Sequence, residues 1–285
     1  MPPVPARHPG PGDVAVPCAM PPDGAPEDGS RRLSVVVRCH NQAPYLDEAL
    51  RSVATQARRP DEVLVVDDGS TDGSAGVAER HREGWPELRV VRRAVARGGP
   101  QTFNDGVAAT SAPYVVVLDA DDRLGPGYLE AVMETQRSSG ADIVTTDIQL
   151  FGTDDRFIPT RPITRWRMAL ECPAHSSSLF RRWVFDATGG RPVGLLPGDN
   201  GEDWAMWLAA AEMGARFAVA PHAVLEYRRQ ASSMSAVDHR GATTTHLWMH
   251  RLHPDMVGYR HVALRAGLGV WRSTLRAVGL RRLLH

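Results

Sequence analysis

Hydrophobic residues along this chain fall into two alternating rhythms. Residues 33–38, 62–66, 88–91 and 114–118 are short apolar runs rich in valine, each bounded by polar or turn-forming residues. Their length and composition predict strands buried on both faces. Between them the spacing becomes helical. Pro44 opens a pattern with Leu46, Ala49, Leu50 and Val53 on one face, and residues 74–82 and 101–109 predict two further helices. Strands alternating with helices predict an α/β fold, a mostly parallel central sheet flanked by helices. In such sheets ligands sit outside the carboxyl ends of the strands.

The second half is less regular. Residues 141–146 and 175–180 predict strands, and residues 189–201 form a Gly/Pro-rich stretch of the kind that serves as a functional loop. Residues 202–213 predict a helix ended by Gly214, with Trp204, Trp207, Leu208 and Ala211 turned to the core. Two more strands are expected at 216–219 and 224–227, and helix after Gly241. Residues 1–30 hold many prolines and little to bury, so they predict a disordered leader. The expected organisation is a leader over 1–30, one α/β domain over 31–236 and a helical C-terminal extension over 237–285.

Composition narrows the function. The 285 residues, 42% hydrophobic, are enough to bury a sizeable core. Lys+Arg and Asp+Glu are both 33, so no global positive field draws nucleic acid. The chain has no lysine, which excludes a lysine Schiff base and a P-loop lysine. Cys18, Cys39 and Cys172 are far apart and odd in number, which fits neither a disulfide framework nor a C-x-x-C metal site and points to a cytoplasmic location. No apolar run approaches the roughly 20 residues needed to span a bilayer. Near the end, Leu264, Leu268, Trp271, Leu275 and Val278 form a helical stripe flanked by Arg265, Arg272 and Arg276. Packing on the domain or on a second copy, in a homo-oligomer, is the ordinary use of such a stripe. Peripheral contact with the inner face of a membrane, where lipid-linked molecules lie, is the other.

Three acidic segments carry the candidate chemistry. Asp119-Ala120-Asp121-Asp122 follows the fourth strand. Two carboxylates one residue apart on a strand point the same way and suit Mg²⁺ or Mn²⁺, which take hard oxygen ligands and complete their shell with water and substrate oxygens. A solvated acidic turn is the plainer reading. Asp67-Asp68-Gly69-Ser70 follows the second strand, where a carboxylate can accept from a base N–H or a ribose hydroxyl, or simply cap the next helix. Gly201-Glu202-Asp203-Trp204 opens a helix, whose dipole favours ionised acids that can act as a general base, though acids in a first turn also serve as ordinary caps. His222, His239, His246, His250 and His253 lack a metal-ligand spacing and read as surface residues, and His175 lies on the expected strand 175–180.

Taken together and in this order, these motifs resemble the family-2 inverting glycosyltransferases. The resemblance rests on the Val35–Asn41 segment with Cys39 and Asn41, on Asp67 to Asp72, on Leu118 to Asp122, on Gly201 to Trp204, and on Tyr227-Arg228-Arg229 followed by Ser233-Met234-Ser235. It covers residues 33 to 236. It implies a GT-A, Rossmann-like fold and a nucleotide-sugar donor, UDP- or dTDP-linked. The acceptor would be a hydroxyl on a glycan, lipid-linked or small molecule. By residue, Asp67 or Asp68 would contact the base or ribose, and the backbone near Cys39 and Asn41 would line the nucleoside pocket. Asp119, Ala120 and Asp121 would serve the ribose and the Mn²⁺- or Mg²⁺-bound diphosphate, Asp121 as direct ligand. Asp203 would be the base with Glu202 beside it, and Arg228 would add charge near the phosphates. Several positions depart from the family pattern: Arg38 for a usual proline, His40 for an aromatic, Phe103 for an arginine, Arg191 for a phenylalanine and Gln230 for a histidine. These put donor identity in question more than reaction class. Two rivals remain: a non-catalytic relative that binds nucleotide or glycan, and a nucleotidyltransferase, disfavoured because residues 38–44 hold no glycine for a triphosphate loop.

Overall fold

The structure, a computed structural model, describes residues 31–194, 201–230, 241–258 and 261–262. The leader, the Ser233-Met234-Ser235 segment, His239 and the stripe from Leu264 onward lie outside the described residues. The order of elements is β1 (Leu33–Cys39), α1 (Ala43–Ala54), β2 (Glu62–Asp67), α2 (Ser74–Glu83), β3 (Leu88–Arg92), α3 (Gly99–Ala108) and β4 (Tyr114–Asp119), as the periodicity predicts to within a residue or two. There follow β5 (Arg123–Leu124), α4 (Tyr128–Ser139), β6 (Ile143–Gly152), β7 (Phe157–Ile158), α5 (Arg165–Met168), β8 (Leu179–Arg181), α6 (Arg182–Thr188), α7 (Glu202–Glu212), β9 (Phe217–Arg229) and α8 (Gly241–Leu252).

These strands form one sheet in the order β3-β2-β1-β4-β8-β6-β9-β5, with β7 paired to β6. The half from β3 to β4 is parallel. Beyond β4 the sheet is mixed: β8 runs antiparallel to β4 and β6, while β6 and β9 run parallel. Because β1, β2 and β4 are covered on both faces, their side chains divide between two cores. Val35, Val37, Val65 and Leu118 pack with α1, α2 and α4. Val36, Leu64, Val66 and Val117 pack with α3, α6 and α7. Helix α7 is enclosed from two sides. Met206 and Trp207 face the sheet, whereas Trp204 and Leu208 join Met249 of α8 and Met168 of α5.

Four expectations are corrected. Residues 175–180 are not all strand: Ser178 donates through both its backbone N and its Oγ to the His175 carbonyl, at 3.1 and 2.8 Å, making a tight turn that delays β8 to Leu179. The strands expected at 216–219 and 224–227 are one strand, β9. His222 takes a left-handed φ of 64° after Pro221, and β6 shifts register between Thr145 and Asp147, so pairing resumes past the irregularity. The D-x-D pair is not wholly on a strand either. Asp119 ends β4, but Asp121 lies in the turn closed by Asp122 N donating to Asp119 O at 3.0 Å. Finally, His246 and His253 are buried, not on the surface. His246 Nε2 lies 2.8 Å from the Leu170 carbonyl, and His253 Nδ1 lies 2.7 Å from Glu212 Oε2.

Helix α3 lies so close to the sheet that a Cβ on Gly106 would stand 2.5 Å from Val36 Cγ1 and 3.2 Å from Val66 Cγ2. Both neighbours are core valines on strands, with no room to give. Gly106→Ala is therefore expected to lower unfolding free energy by about 1–3 kcal/mol, read by urea denaturation. An unchanged midpoint would mean that α3 can lift from the sheet without cost.

Candidate active site

The carboxyl end of β1 gathers the acidic segments. Register places Cys39 beside Asp67 on β2 and Arg38 beside Asp119 on β4. Two backbone bonds extend this past the strands: Asp68 N donates to Cys39 O at 2.8 Å, and Ala120 N donates to Arg38 O at 2.9 Å. The turn after β1 is stitched to the turn after β2. Asn41, at φ 52°, donates its N–H to Ser70 Oγ at 2.9 Å and accepts Thr71 N at Oδ1, also at 2.9 Å. A side chain on Gly69 would run into the backbone of Val95 and Ala96, and its φ of 69° is one that glycine adopts freely.

Asp67 and Asp68 have different surroundings. The Asp68 carboxylate is consumed inside the protein. It accepts Arg97 N at 2.9 Å, Gly98 N at 2.9 Å and Arg93 Nη1 at 2.7 Å. Burial pushes its pKa up, but these bonds outweigh that and hold it below the usual range. Asp67 Oδ1 accepts Ser70 N at 3.1 Å, while Oδ2 is buried with no hydrogen-bond partner. Arg92 Nε lies 3.4 Å from Oδ2, an ion-pair distance without hydrogen-bond geometry. Asp67 is thus the member of the pair with an oxygen to spare. Cys39 itself is buried in the core, so only its backbone is available to a ligand.

The Asp119–Asp122 turn concentrates three carboxylates beside Arg38 and Arg228. Burial and the Asp119 charge push the Asp121 carboxyl up to about 6. Burial and its two acidic neighbours raise Asp122 well above the usual range. Asp121 Oδ2 accepts the Gln230 amide at 3.2 Å, and Asp122 Oδ1 accepts Arg228 N at 2.8 Å. Arg228 is not a solvent-facing residue. Its guanidinium lies over Tyr45 and Phe151 at 4.4 and 4.3 Å, bonds to Glu48 at 2.7 Å and donates from Nε to the Asp121 carbonyl at 2.9 Å. Among the described residues no group of three or more His, Cys, Asp or Glu is arranged to hold a metal alone. Mg²⁺ and Mn²⁺ do not need one, since one or two carboxylates plus substrate phosphates suffice. Asp121, raised first by burial and then by the Asp119 charge, offers hard carboxylate oxygens one residue from those of Asp119, so the residues fit such an ion.

Across from these acids, α7 follows its N-cap Gly201 and carries Glu202 and Asp203 in its first turn. Its position is fixed by two indole bonds: Trp204 Nε1 donates to Met168 O at 2.7 Å and Trp207 Nε1 to Ala174 O at 3.0 Å. Burial, then the Asp203 charge, raises the Glu202 pKa. Sequence reasoning passed over the bridge between the two acidic sides. Arg38 Nη2 lies 2.5 Å from Asp119 Oδ1 and donates to Ser176 Oγ at 3.2 Å. Arg191 Nη2 donates to the same Ser176 Oγ at 2.8 Å, and Nη1 lies 3.3 Å from Glu202 Oε1. Arg191 rests on the Phe103 ring at 3.9 Å, so two departures from the family pattern, distant in sequence, touch each other. His175, half-buried beside Ser176, is pushed down to about 3 by desolvation of its ring and is neutral at physiological pH, so it adds no charge here.

A parallel half-sheet, acids at the carboxyl ends of β2 and β4, and an acidic helix start facing them define a GT-A-type α/β protein. A sequence profile of Glycosyl transferase family 2 matches residues 34–191, more than half of the chain. The chain belongs to that family. It is 31% identical over 214 residues to the succinoglycan biosynthesis protein ExoU of Rhizobium meliloti, covering 66% of this chain and 59% of that one. It is 28% identical over 159 residues to the uncharacterized glycosyltransferase alr2836 of Nostoc, 56% of this chain and 49% of that one. The chain therefore spans roughly half to three-fifths of the length of these relatives. Among solved structures, S. aureus TarS 1–349 in complex with UDP-GlcNAc superposes with a TM-score of 0.65 at 20% identity, over 78% of this chain and 65% of that one. The mannosyltransferase PcManGT from Pyrobaculum calidifontis, in complex with GDP-Man and Mn²⁺, gives 0.57 at 21% identity, over 92% and 84%. At these identities the two structures establish the fold.

The separation of Asp67 from Asp68 has a measurable consequence. Because the Asp68 pKa is lowered on folding, its stabilisation is present above the unfolded value of about 3.9 and is lost as pH falls through the lower folded value. Asp68→Asn is expected to cost about 3 kcal/mol at pH 7 and to flatten the loss of stability below about pH 4, since it breaks a buried ion pair and removes the titrating group. Urea denaturation across pH checks both, with Asp67→Asn as the variant expected to change stability far less.

Proposed function

We propose that this chain transfers a sugar from a nucleoside-diphosphate donor, UDP- or dTDP-linked, to a hydroxyl of a glycan, lipid-linked or small-molecule acceptor, with inversion at the anomeric carbon. The observation that carries this reading is the bridge between the acidic segments: Asp119 is joined through Arg38, Ser176 and Arg191 to Glu202, the residue before Asp203. Asp67, with its spare oxygen, would read the base or ribose. Mn²⁺ or Mg²⁺ would be held by Asp121, with Asp119 beside it, and would supply charge stabilisation to the diphosphate. A protein of the same fold has been solved with GDP-Man and Mn²⁺, so the fold accommodates such a pair.

The chemistry is a single displacement. Asp203 takes the acceptor hydroxyl proton as that oxygen forms its bond to the anomeric carbon. On the opposite face the bond to the diphosphate oxygen breaks, and its electron pair leaves with the nucleoside diphosphate. One in-line step inverts the configuration. Arg228, tied to the carbonyl of Asp121 and stacked between two rings, fixes the acidic turn and places a positive charge beside the phosphates. No helix among the described residues is long and apolar enough to cross a membrane.

Asp203→Asn is expected to lower kcat by about 100-fold to 10,000-fold while leaving donor binding intact, the signature of a lost general base. A panel of nucleotide sugars with Mn²⁺, read by thermal shift and slow donor hydrolysis, tests the donor site. Stabilisation by one nucleotide sugar, abolished by EDTA and by Asp121→Ala, is the expected result. Failure of every nucleotide sugar to bind would leave a non-catalytic relative as the better description.

A further inference from the structure

The Arg191 guanidinium is an unusual object. Its side chain is 1% exposed, and an arginine buried this deeply must find charge and hydrogen-bond partners inside the protein. It finds the Phe103 face, Ser176 Oγ and Glu202 Oε1, while Nε has no hydrogen-bond partner. The backbone is clamped as well: Asn104 Nδ2 donates to Arg191 O, and Arg191 N donates to Asn104 Oδ1, each at 2.8 Å. Phe103 under the guanidinium and Asn104 at the main chain both belong to α3, so the helix that packs on the sheet supports the cation that Ser176 and Glu202 bind.

The support under it is continuous. Phe103 stacks on Phe180 of β8 with ring centroids 5.9 Å apart, and Phe180 meets Trp207 of α7 edge-on, also at 5.9 Å. Trp207 and Glu202 lie on the same helix. The ring of contacts Trp207–Phe180–Phe103–Arg191–Glu202 therefore closes on itself, and α7 cannot turn its acidic end without disturbing its own packing. Like-charged Arg38 shares Ser176 with Arg191. The two cations tolerate each other because Asp119 neutralises one and Glu202 the other.

We propose that Arg191 is a positioning residue for the acidic pair at the start of α7, holding the Glu202 carboxylate by charge and hydrogen bond so that Asp203 is left as the sole base. This rests on the reading of Asp203 given above. Without Arg191, the two adjacent acids lose a cation that acts on both of them. The groups that act on Glu202 are Asp203 on its own helix, Arg191 after α6 and Arg38 on β1. Asp119 on β4 acts on both arginines, and the exposed Cys172 interacts with Asp203, Arg191 and Glu202. Burial already raises the Glu202 pKa, and Arg191 opposes that rise.

The test is the pH profile of kcat/KM for the full chain with the donor that the panel identifies. A base must be ionised to act, so loss of a neighbouring cation moves the acid limb to higher pH. Arg191→Met is expected to move it up by about one pH unit, and Arg191→Lys, which keeps the charge, to bring it back. In a Glu202→Gln background, Arg191→Met should move the limb by less than it does in the wild type, because only the direct Arg191–Asp203 attraction is then lost. Should Arg191→Met fail to fold, Phe103→Leu removes the ring under the guanidinium and is expected to move the limb the same way by a smaller amount. Turnover with an unmoved limb in these variants overturns the proposal alone. A wild-type protein that turns over no donor sinks the reading of Asp203, and the proposal with it.

Discussion

Everything in the cleft depends on the last two residues of β1. Their carbonyls accept one backbone N–H from each of the acidic segments that follow β2 and β4, Asp68 through Cys39 and Ala120 through Arg38. Parallel register does the rest, since strands running side by side in one direction end at one level. A slip of one residue in either pairing would exchange the sheet faces of every side chain in the strand, sending core valines toward the opposite layer of helices. The two hydrophobic layers therefore hold the carboxylates in place as firmly as the hydrogen bonds do.

The parallel half of this architecture was legible because its signals are local and strong. Four valine-rich runs with helical spacing between them admit few other folds, and the acids stand where such a sheet opens. The second half resisted for identifiable reasons. Pro221 and His222 punctuate β9 like a turn, but the partner strand carries a matching irregularity and pairing continues. Helix α4 buries only Tyr128, Leu129, Val132 and Met133, a narrow stripe among polar residues. Ser178 and its hydroxyl turn what reads as strand into a bend. As for the site, the three acidic motifs could be read by residue type, but not the division of labour within them. That Asp68 is spent on Arg93 and the backbone of Arg97 and Gly98 depends on a loop some thirty residues away folding back. The contact between Phe103 and Arg191 is equally hidden, because each residue alone only breaks a pattern.

The chain balances the buried acids of its cleft with guanidinium groups throughout: Arg38 for Asp119, Arg93 for Asp68, Arg191 for Glu202 and Arg228 beside the Asp121–Asp122 turn. Guanidinium remains charged at any pH a protein survives, and its planar fork serves two acceptors at once. Arg38 and Arg191 use this in meeting at one serine hydroxyl while each faces a different carboxylate. Protonation changes in the cleft thus fall to the carboxylates, and the arginines supply a constant field around them.

Strand β9 brings the chain back late. Its residues Arg228 and, just beyond it, Gln230 contact the Asp121–Asp122 turn, more than a hundred residues earlier in the chain, and Arg123 pairs with Glu226 across the β5–β9 edge. During synthesis the parallel half can form its layers as soon as β4 has emerged, since domains begin to fold from their amino-terminal side. The acidic turn at its edge must then wait, with Asp122 lacking the backbone N–H that holds it, until β9 arrives. The cleft is completed in time as it is in space, from the sheet outward, with the strand that closes it made late.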